Sequence, residues 1–167
     1  MPNQKQVFVD VDMVVADNRA RLMANVDASG AIRYETYYAP DIVQQDIALP
    51  NAQVSLEIIR RDFSITFLTS RPTRVHSATR EWLREHKLRT DTEEVLFVKT
   101  PLEKVPILQN SLDHLYLFID DCKYDYQSGN PKVDERFVNA LQESRIPFFL
   151  FDSNWPEVIQ RHFVETH

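Results

Sequence analysis

The chain has 167 residues, enough for one domain with a sizeable core. It is 43% hydrophobic and 26% charged with a formal net charge of −6, a globular balance and a poor one for coating nucleic acid by charge alone. Neither of its two glycines lies in a phosphate-loop pattern, which excludes a Gly-rich nucleotide cradle, and the single cysteine, Cys122, excludes an internal disulfide.

Residues 1–6 are polar, and the apolar run behind them is short and ends in acid, so no signal peptide is expected. No run approaches a membrane span, and the expected location is cytoplasmic, with no membrane partner. Residues 7–9 predict a buried strand that runs into Asp10, Val11 and Asp12. Alternate strand residues point the same way, so Asp10 and Asp12 leave the strand end close together. Two like charges that near need a cation or a shared proton. The competing reading is a strand-to-loop turn with two solvated aspartates.

Residues 17–23 read as a loop or short helix. Residues 24–50 have weak periodicity and carry Gly30, Pro40 and Pro50, with Tyr34, Tyr37 and Tyr38 between them. They predict an irregular insertion, a small cap over the strand end, whose tyrosines either pack or carry recognition. Residues 51–61 predict an amphipathic helix with Val54 and Ile58 inward, joined by Leu56 or Ile59. Residues 65–68 predict a second buried strand, ending at Thr69, Ser70, Arg71 and Pro72; 75–86 predict a helix with Trp82 and Leu83 on its apolar face; 95–98 predict a third strand. Thr100-Pro101-Leu102-Glu103 has capping-box spacing, although Pro106 then falls inside the helix and a start nearer Lys104 is the alternative. Residues 115–119 form the most hydrophobic predicted strand and end in Asp120 and Asp121. A polar loop at 122–132, a helix at 134–144, a strand at 148–151 and a helix at 156–163 complete the chain. Strands alternating with helices predict an α/β fold: a Rossmann-like three-layer sandwich with a mainly parallel sheet, in a single domain over 1–167.

Three predicted strands thus end in polar residues of complementary kinds, and in a parallel sheet those ends share one edge. The sum is an oxygen-ligand site for Mg²⁺, a hydroxyl donor at Thr69, and cations for a phosphate at Arg71, Lys99 and Lys104. His76, His86, His114, His162 and His167 show no metal-ligand spacing. Arg80 and Arg84 are four apart and share a helix face, either a phosphate track or a solvated surface.

The order of these motifs resembles the haloacid dehalogenase (HAD) superfamily of phosphotransferases: D-x-D-x-[T/V], a strand ending in Thr or Ser, then Lys, then an acidic pair. The chain supplies Asp10-Val11-Asp12-Met13-Val14, Thr69, Lys104 and Asp120-Asp121 in that order. A nearer likeness is to the phosphatase domain of polynucleotide kinase-phosphatases. It rests on Leu68-Thr69-Ser70-Arg71-Pro72, on Thr79-Arg80-Glu81-Trp82-Leu83, and on the run 37–46. The resemblance implies Mg²⁺-dependent phosphomonoester hydrolysis through an aspartyl-phosphate, with polynucleotide 3′-phosphatase as the favoured activity. A 5′(3′)-nucleotidase or other small-molecule phosphatase is the first alternative, and a non-catalytic phosphate-binding module the second. It further implies Asp10 as nucleophile, Asp12 as proton carrier, and Thr69 and Lys104 on the phosphoryl oxygens. Ser70, Arg71 and Lys99 would contact substrate. Asp10, Asp12, Asp120 and Asp121 would make the metal site. Two departures stand out: Met13 replaces the usual Gly, and the segment between Val98 and Lys104 is short, with Lys99 roughly where that group carries an Arg. Lys99 is therefore the alternative to Lys104 as the phosphate lysine. With no P-loop, the expected protein is a stand-alone phosphatase or one working beside a separate kinase or ligase, its substrate a nucleic-acid end or a nucleotide.

Overall fold

The computed structural model describes residues 4–124 and 130–164. The described elements are β1 (Gln6–Val9), β2 (Ala16–Asp17), α1 (Arg19–Asn25), α2 (Tyr34–Tyr37), α3 (Pro40–Val43), β3 (Ile47–Ala48), α4 (Ala52–Ile59) and β4 (Ser64–Thr69). They continue with α5 (His76–Glu85), β5 (Glu94–Phe97), α6 (Lys104–Asn110), β6 (Leu115–Asp120), β7 (Lys123–Tyr124), β8 (Lys132–Val133), α7 (Glu135–Glu143), β9 (Phe148–Leu150) and α8 (Trp155–His162).

Five strands form one sheet in the order β5-β4-β1-β6-β9, with every neighbouring pair parallel. Both faces are covered, which is why its strands read as near-continuous apolar runs. Alternation along β1 splits the core in two. Val7 and Val9 join Leu56, Ile59, Trp82, Leu83, Trp155 and Val158 on the face covered by α4, α5 and α8. Phe8 points the other way, into Leu108, Phe118, Phe137 and Leu141 under α6 and α7. The result is the predicted α/β three-layer sandwich. Among the described residues no helix is long and apolar enough to cross a membrane.

Helix α4 differs from its predicted face. Ala52, Ser55, Leu56 and Ile59 are buried, whereas Val54 is 58% exposed. Apolar residues surround this short helix, so periodicity does not choose a side and contact with the sheet does. Leu56→Ala is accordingly expected to cost about 2–5 kcal/mol, and Val54→Lys to stay within roughly 0.5 kcal/mol. Urea titrations of the two variants check this; equal losses would contradict the assignment of the face.

The segment at 100 also departs from its reading. Pro101–Glu103 is a 3-10 turn, and α6 begins at Lys104 with Pro106 in its first turn, where a missing N–H costs little. Thr100 makes no side-chain cap; Glu103 instead accepts a 2.8 Å bond from the Lys99 N–H. The predicted loop at 122–132 contains the antiparallel pair β7–β8, and its residues 125–129 lie outside the described residues.

Candidate active site

Chain order in the sheet reverses beside β1: the chain moves outward through β4 and β5, then returns to β6 and β9. Crevices at such points, beyond the strands' carboxyl ends, are where open α/β sheets bind ligands. Asp10 follows β1 directly, and its N–H donates to the Ile119 carbonyl at 2.9 Å. Asp120 closes β6, so the two carboxylates emerge side by side. One carboxylate oxygen each from Asp10, Asp120 and Asp121 lies within 4.8 Å of the others.

Lys104 projects from the start of α6 into this group, with its side chain fully buried. Its Nζ donates to Asp10 Oδ1 at 2.9 Å, to Asp120 Oδ2 at 2.7 Å and to the Tyr124 hydroxyl at 2.8 Å. Tyr124 in turn donates to Asp120, 3.1 Å from Oδ2. Asp121 Oδ1 accepts the Lys123 N–H at 3.1 Å, while Asp121 Oδ2 is buried with no hydrogen-bond partner among the described residues. A buried carboxylate oxygen without a donor is costly, and a cation would satisfy it. Three clustered carboxylates, one of them orphaned, fit a hard divalent ion such as Mg²⁺.

Burial pushes the Asp10 carboxyl from the usual 3.8 up to about 7; Lys104 opposes the shift, and the charges of Asp120 and Asp12 add to it. Burial, then Asp120 and Asp10, likewise hold Asp121 well above the carboxylate range. Folding therefore favours the protonated acids, and the stability that Asp10 contributes in this way is lost as pH rises from about 4 towards about 7. A divalent cation takes the ionised forms. Added Mg²⁺ is expected to raise Tm more at about pH 7.5 than at about pH 5. A thermal melt series with and without Mg²⁺ checks this, and a pH-independent increment would contradict it.

Asp12 belongs to a different cluster. Its carboxylate accepts from Arg21 at 2.7 Å, from Arg71 at 2.8 and 3.0 Å, and from Asn18 at 3.2 Å. Asp46, from the insertion, takes the same two guanidiniums at 2.9–3.0 Å. All four charged side chains are buried. Burial alone would push Asp12 up, but Arg71 and then Arg21 outweigh it and hold the carboxyl well below its usual range. The Asp12 side chain faces guanidiniums and is not in the carboxylate group that fits a metal. Its environment also drives it away from neutrality, not towards it. The buried Arg71 guanidinium binds Asp12, Asp46 and Thr79, the last at 3.2 Å.

Thr69 is buried at the end of β4, and its Oγ1 accepts a long 3.4 Å bond from the Arg71 N–H. Lys99 is exposed, so of the two candidate lysines Lys104 is the one beside the carboxylates. Met13 has φ 58°, the left-handed conformation that favours Gly. The turn survives the substitution because Val14, Val15 and Ala16 all donate to the Val11 carbonyl at 2.9–3.3 Å. Arg84 pairs with Glu81 at 3.8 Å on an exposed helix face, while Arg80 lies 4.8 Å from the centre of the Phe97 ring. Among the described residues no histidine joins a cluster that fits a metal.

The sequence reading does not single out Asn18, Arg21, Asp46 or Tyr124. Part of the signal is nonetheless present. Asp46 closes the run 37–46, Thr79 and Trp82 belong to the T-x-x-W motif, and here Trp82 Nε1 donates to the Asp46 carbonyl at 2.8 Å.

No family model and no curated protein matches the chain, whereas several solved structures do. One chain of a Pnkp1/Rnl/Hen1 RNA repair complex matches at TM-score 0.56 and 15% identity, over 90% of this chain and 43% of its own length. This chain therefore spans less than half of that protein. A HAD-superfamily hydrolase, subfamily IA, from Geobacter sulfurreducens matches at TM-score 0.56 and 15% identity, over 86% of this chain and 85% of its own. A protein assigned as a beta-phosphoglucomutase, from Thermotoga maritima, matches at TM-score 0.53 and 13% identity, over 93% and 98%. At such identities the likeness speaks to architecture, and together with the strand order and the carboxylates at its switch point it gives this chain the fold of the HAD superfamily.

Proposed function

We propose that the chain is a Mg²⁺-dependent phosphomonoesterase working through an aspartyl-phosphate. The observation that carries this reading is the group Asp10, Asp120 and Asp121, three buried carboxylates within 4.8 Å with Lys104 bonded between two of them. These three carboxylates would hold the ion, which when bound screens the negative charge of an incoming phosphate. An Asp10 oxygen attacks phosphorus; a P–O bond to Asp10 forms as the bond to the leaving alkoxide breaks. Water then attacks the same phosphorus, releasing inorganic phosphate and restoring Asp10. Lys104 opposes the protonation of Asp10 that burial favours and, with Thr69, stabilises the phosphoryl oxygens.

The leaving alkoxide needs a proton and the attacking water must lose one, and Asp12 is the nearest candidate in sequence. Its two arginines hold it ionised, so the role requires them to loosen their grip once a phosphate dianion competes for Arg71. Residues 24–50 act in this reading as a small cap, which brings Asp46 to that pair. The favoured substrate is a 3′-phosphorylated nucleic-acid end. A nucleotidase is the second reading, favoured by the net charge of −6 and by the Arg84–Glu81 pairing.

The test is a phosphatase screen with Mg²⁺ over 3′- and 5′-phosphorylated oligonucleotides, mononucleotides and sugar phosphates. We expect turnover that excess chelator abolishes, fastest on the 3′-phosphorylated oligonucleotide. Preference for mononucleotides selects the nucleotidase reading. Hydrolysis that persists in chelator, or none at all, overturns the proposal.

A further inference from the structure

A cavity of about 370 Å³ lies at the same sheet edge, at the ends of β4 and β5. Ser70 and Arg71, the residues directly after Thr69, line it together with Tyr34, His76, Phe97 and Lys99. The Val98 N–H donates to the Thr69 carbonyl at 3.0 Å, which ties this wall to the phosphate end of the site.

The lining is aromatic and cationic. His76 stacks on Phe97 with ring centres 3.6 Å apart and planes 20° from parallel. The His76 Nε2 lies 3.1 Å from the Arg71 carbonyl, which fixes the ring. Tyr34 is 48% exposed, yet its ring is held by the Tyr38 ring edge at 5.0 Å and by the Arg74 guanidinium at 5.3 Å. Arg74 also donates to the Tyr34 carbonyl at 3.1 Å. Tyr37 and Tyr38 fill the small core of the insertion, whereas Tyr34 lies outside it, half exposed.

We propose that this cavity is a stacking subsite for the nucleobase of a nucleotide whose phosphate is bound at Asp10; the identity of that neighbouring phosphate rests on the phosphomonoesterase reading. Partly buried rings, the half-exposed Tyr34 ring and the exposed Lys99 suit a planar base attached to anionic phosphate. Ring faces read every base, so the subsite is expected to tolerate all of them, with purines ahead through their larger face.

The experiment compares kcat/KM on adenosine 3′-monophosphate with that on β-glycerophosphate, and reads the ratio. Tyr34 is at the surface, so its replacement spares the fold. Tyr34→Ala is expected to lower the ratio roughly tenfold, within the range for loss of one stacked base, and Tyr34→Phe to retain it. An unchanged ratio in Tyr34→Ala overturns the subsite and leaves the phosphomonoesterase reading standing. If no phosphomonoester is hydrolysed, that reading fails instead, and an NMR titration with phosphate-free adenosine decides. Shifts at Tyr34 and His76 that vanish in Tyr34→Ala support the subsite, and their absence overturns it.

Discussion

Asp10→Asn is expected to abolish phosphomonoester turnover, by roughly a thousandfold or more, while leaving the protein folded. The amide is nearly isosteric with the carboxylate and removes the oxyanion that emerges directly from β1. Lys104 still keeps Asp120 as a partner at 2.7 Å, so no buried cation is stranded. Stability is expected to hold or rise at neutral pH. Asp10 is pushed up to about 7 chiefly by burial, so the site already favours a neutral group there. The same variant should lose much of the Tm increment that Mg²⁺ confers on the wild type, because one of three clustered carboxylates has gone. Melting curves, a Mg²⁺ titration and single-turnover assays make the check. A folded Asp10→Asn protein that retains more than a few per cent of activity would remove the covalent mechanism.

Lys104→Met tests the other half of the site. The ammonium is fully buried and bonded to Asp10, Asp120 and Tyr124. Removing one partner of a buried charge pair costs about 3–5 kcal/mol, because the remaining charge is left uncompensated. For a chain of this size that corresponds to roughly 10 °C in Tm. The pH dependence carries a sign. Without Lys104 the Asp10 and Asp121 carboxyls are pushed further up, so the native state binds more protons than the unfolded chain. Stability is then lost as pH rises, and the deficit relative to wild type is expected to grow from about pH 5 to about pH 8. Activity at neutral pH should fall with it, since Asp10 would be protonated and unable to attack. A Tm deficit that is flat across pH, or Tm equal to wild type, would show that Lys104 does not balance these carboxylates.

Much of the carboxylate group is legible in the amino-acid sequence. Residues 7–9, 65–68 and 115–119 are apolar runs that a sheet covered on both faces requires, and each ends in polar residues at one sheet edge: Asp10, Thr69, and Asp120 with Asp121. Strand burial and strand ends are local properties of a chain. Parallel order then brings those ends to one edge by topology alone, and Lys104, just past the third predicted strand, falls near them on the same argument.

The second cluster is not legible there, for a physical reason. Arg71 meets Asp12 across 59 positions, and Arg21 meets Asp46 across 25. Buried ion pairs leave no periodic trace, so the sequence shows only scattered charges, and Arg71 suits a substrate phosphate equally well. Helix α4 repeats the lesson in apolar terms, since Val54, Leu56, Ile58 and Ile59 offer apolar side chains in several directions and only the sheet selects Leu56 and Ile59. The tyrosines at 34, 37 and 38 stand open between packing and recognition; tertiary structure divides them, burying two in the insertion and leaving Tyr34 at the cavity wall. By itself the sequence determined the strand order's raw material and the carboxylates at its edge, because both follow from local burial and connectivity. Which charges neutralise one another, and which aromatic ring stays exposed at a cavity, was decided only when distant segments met and desolvated each other.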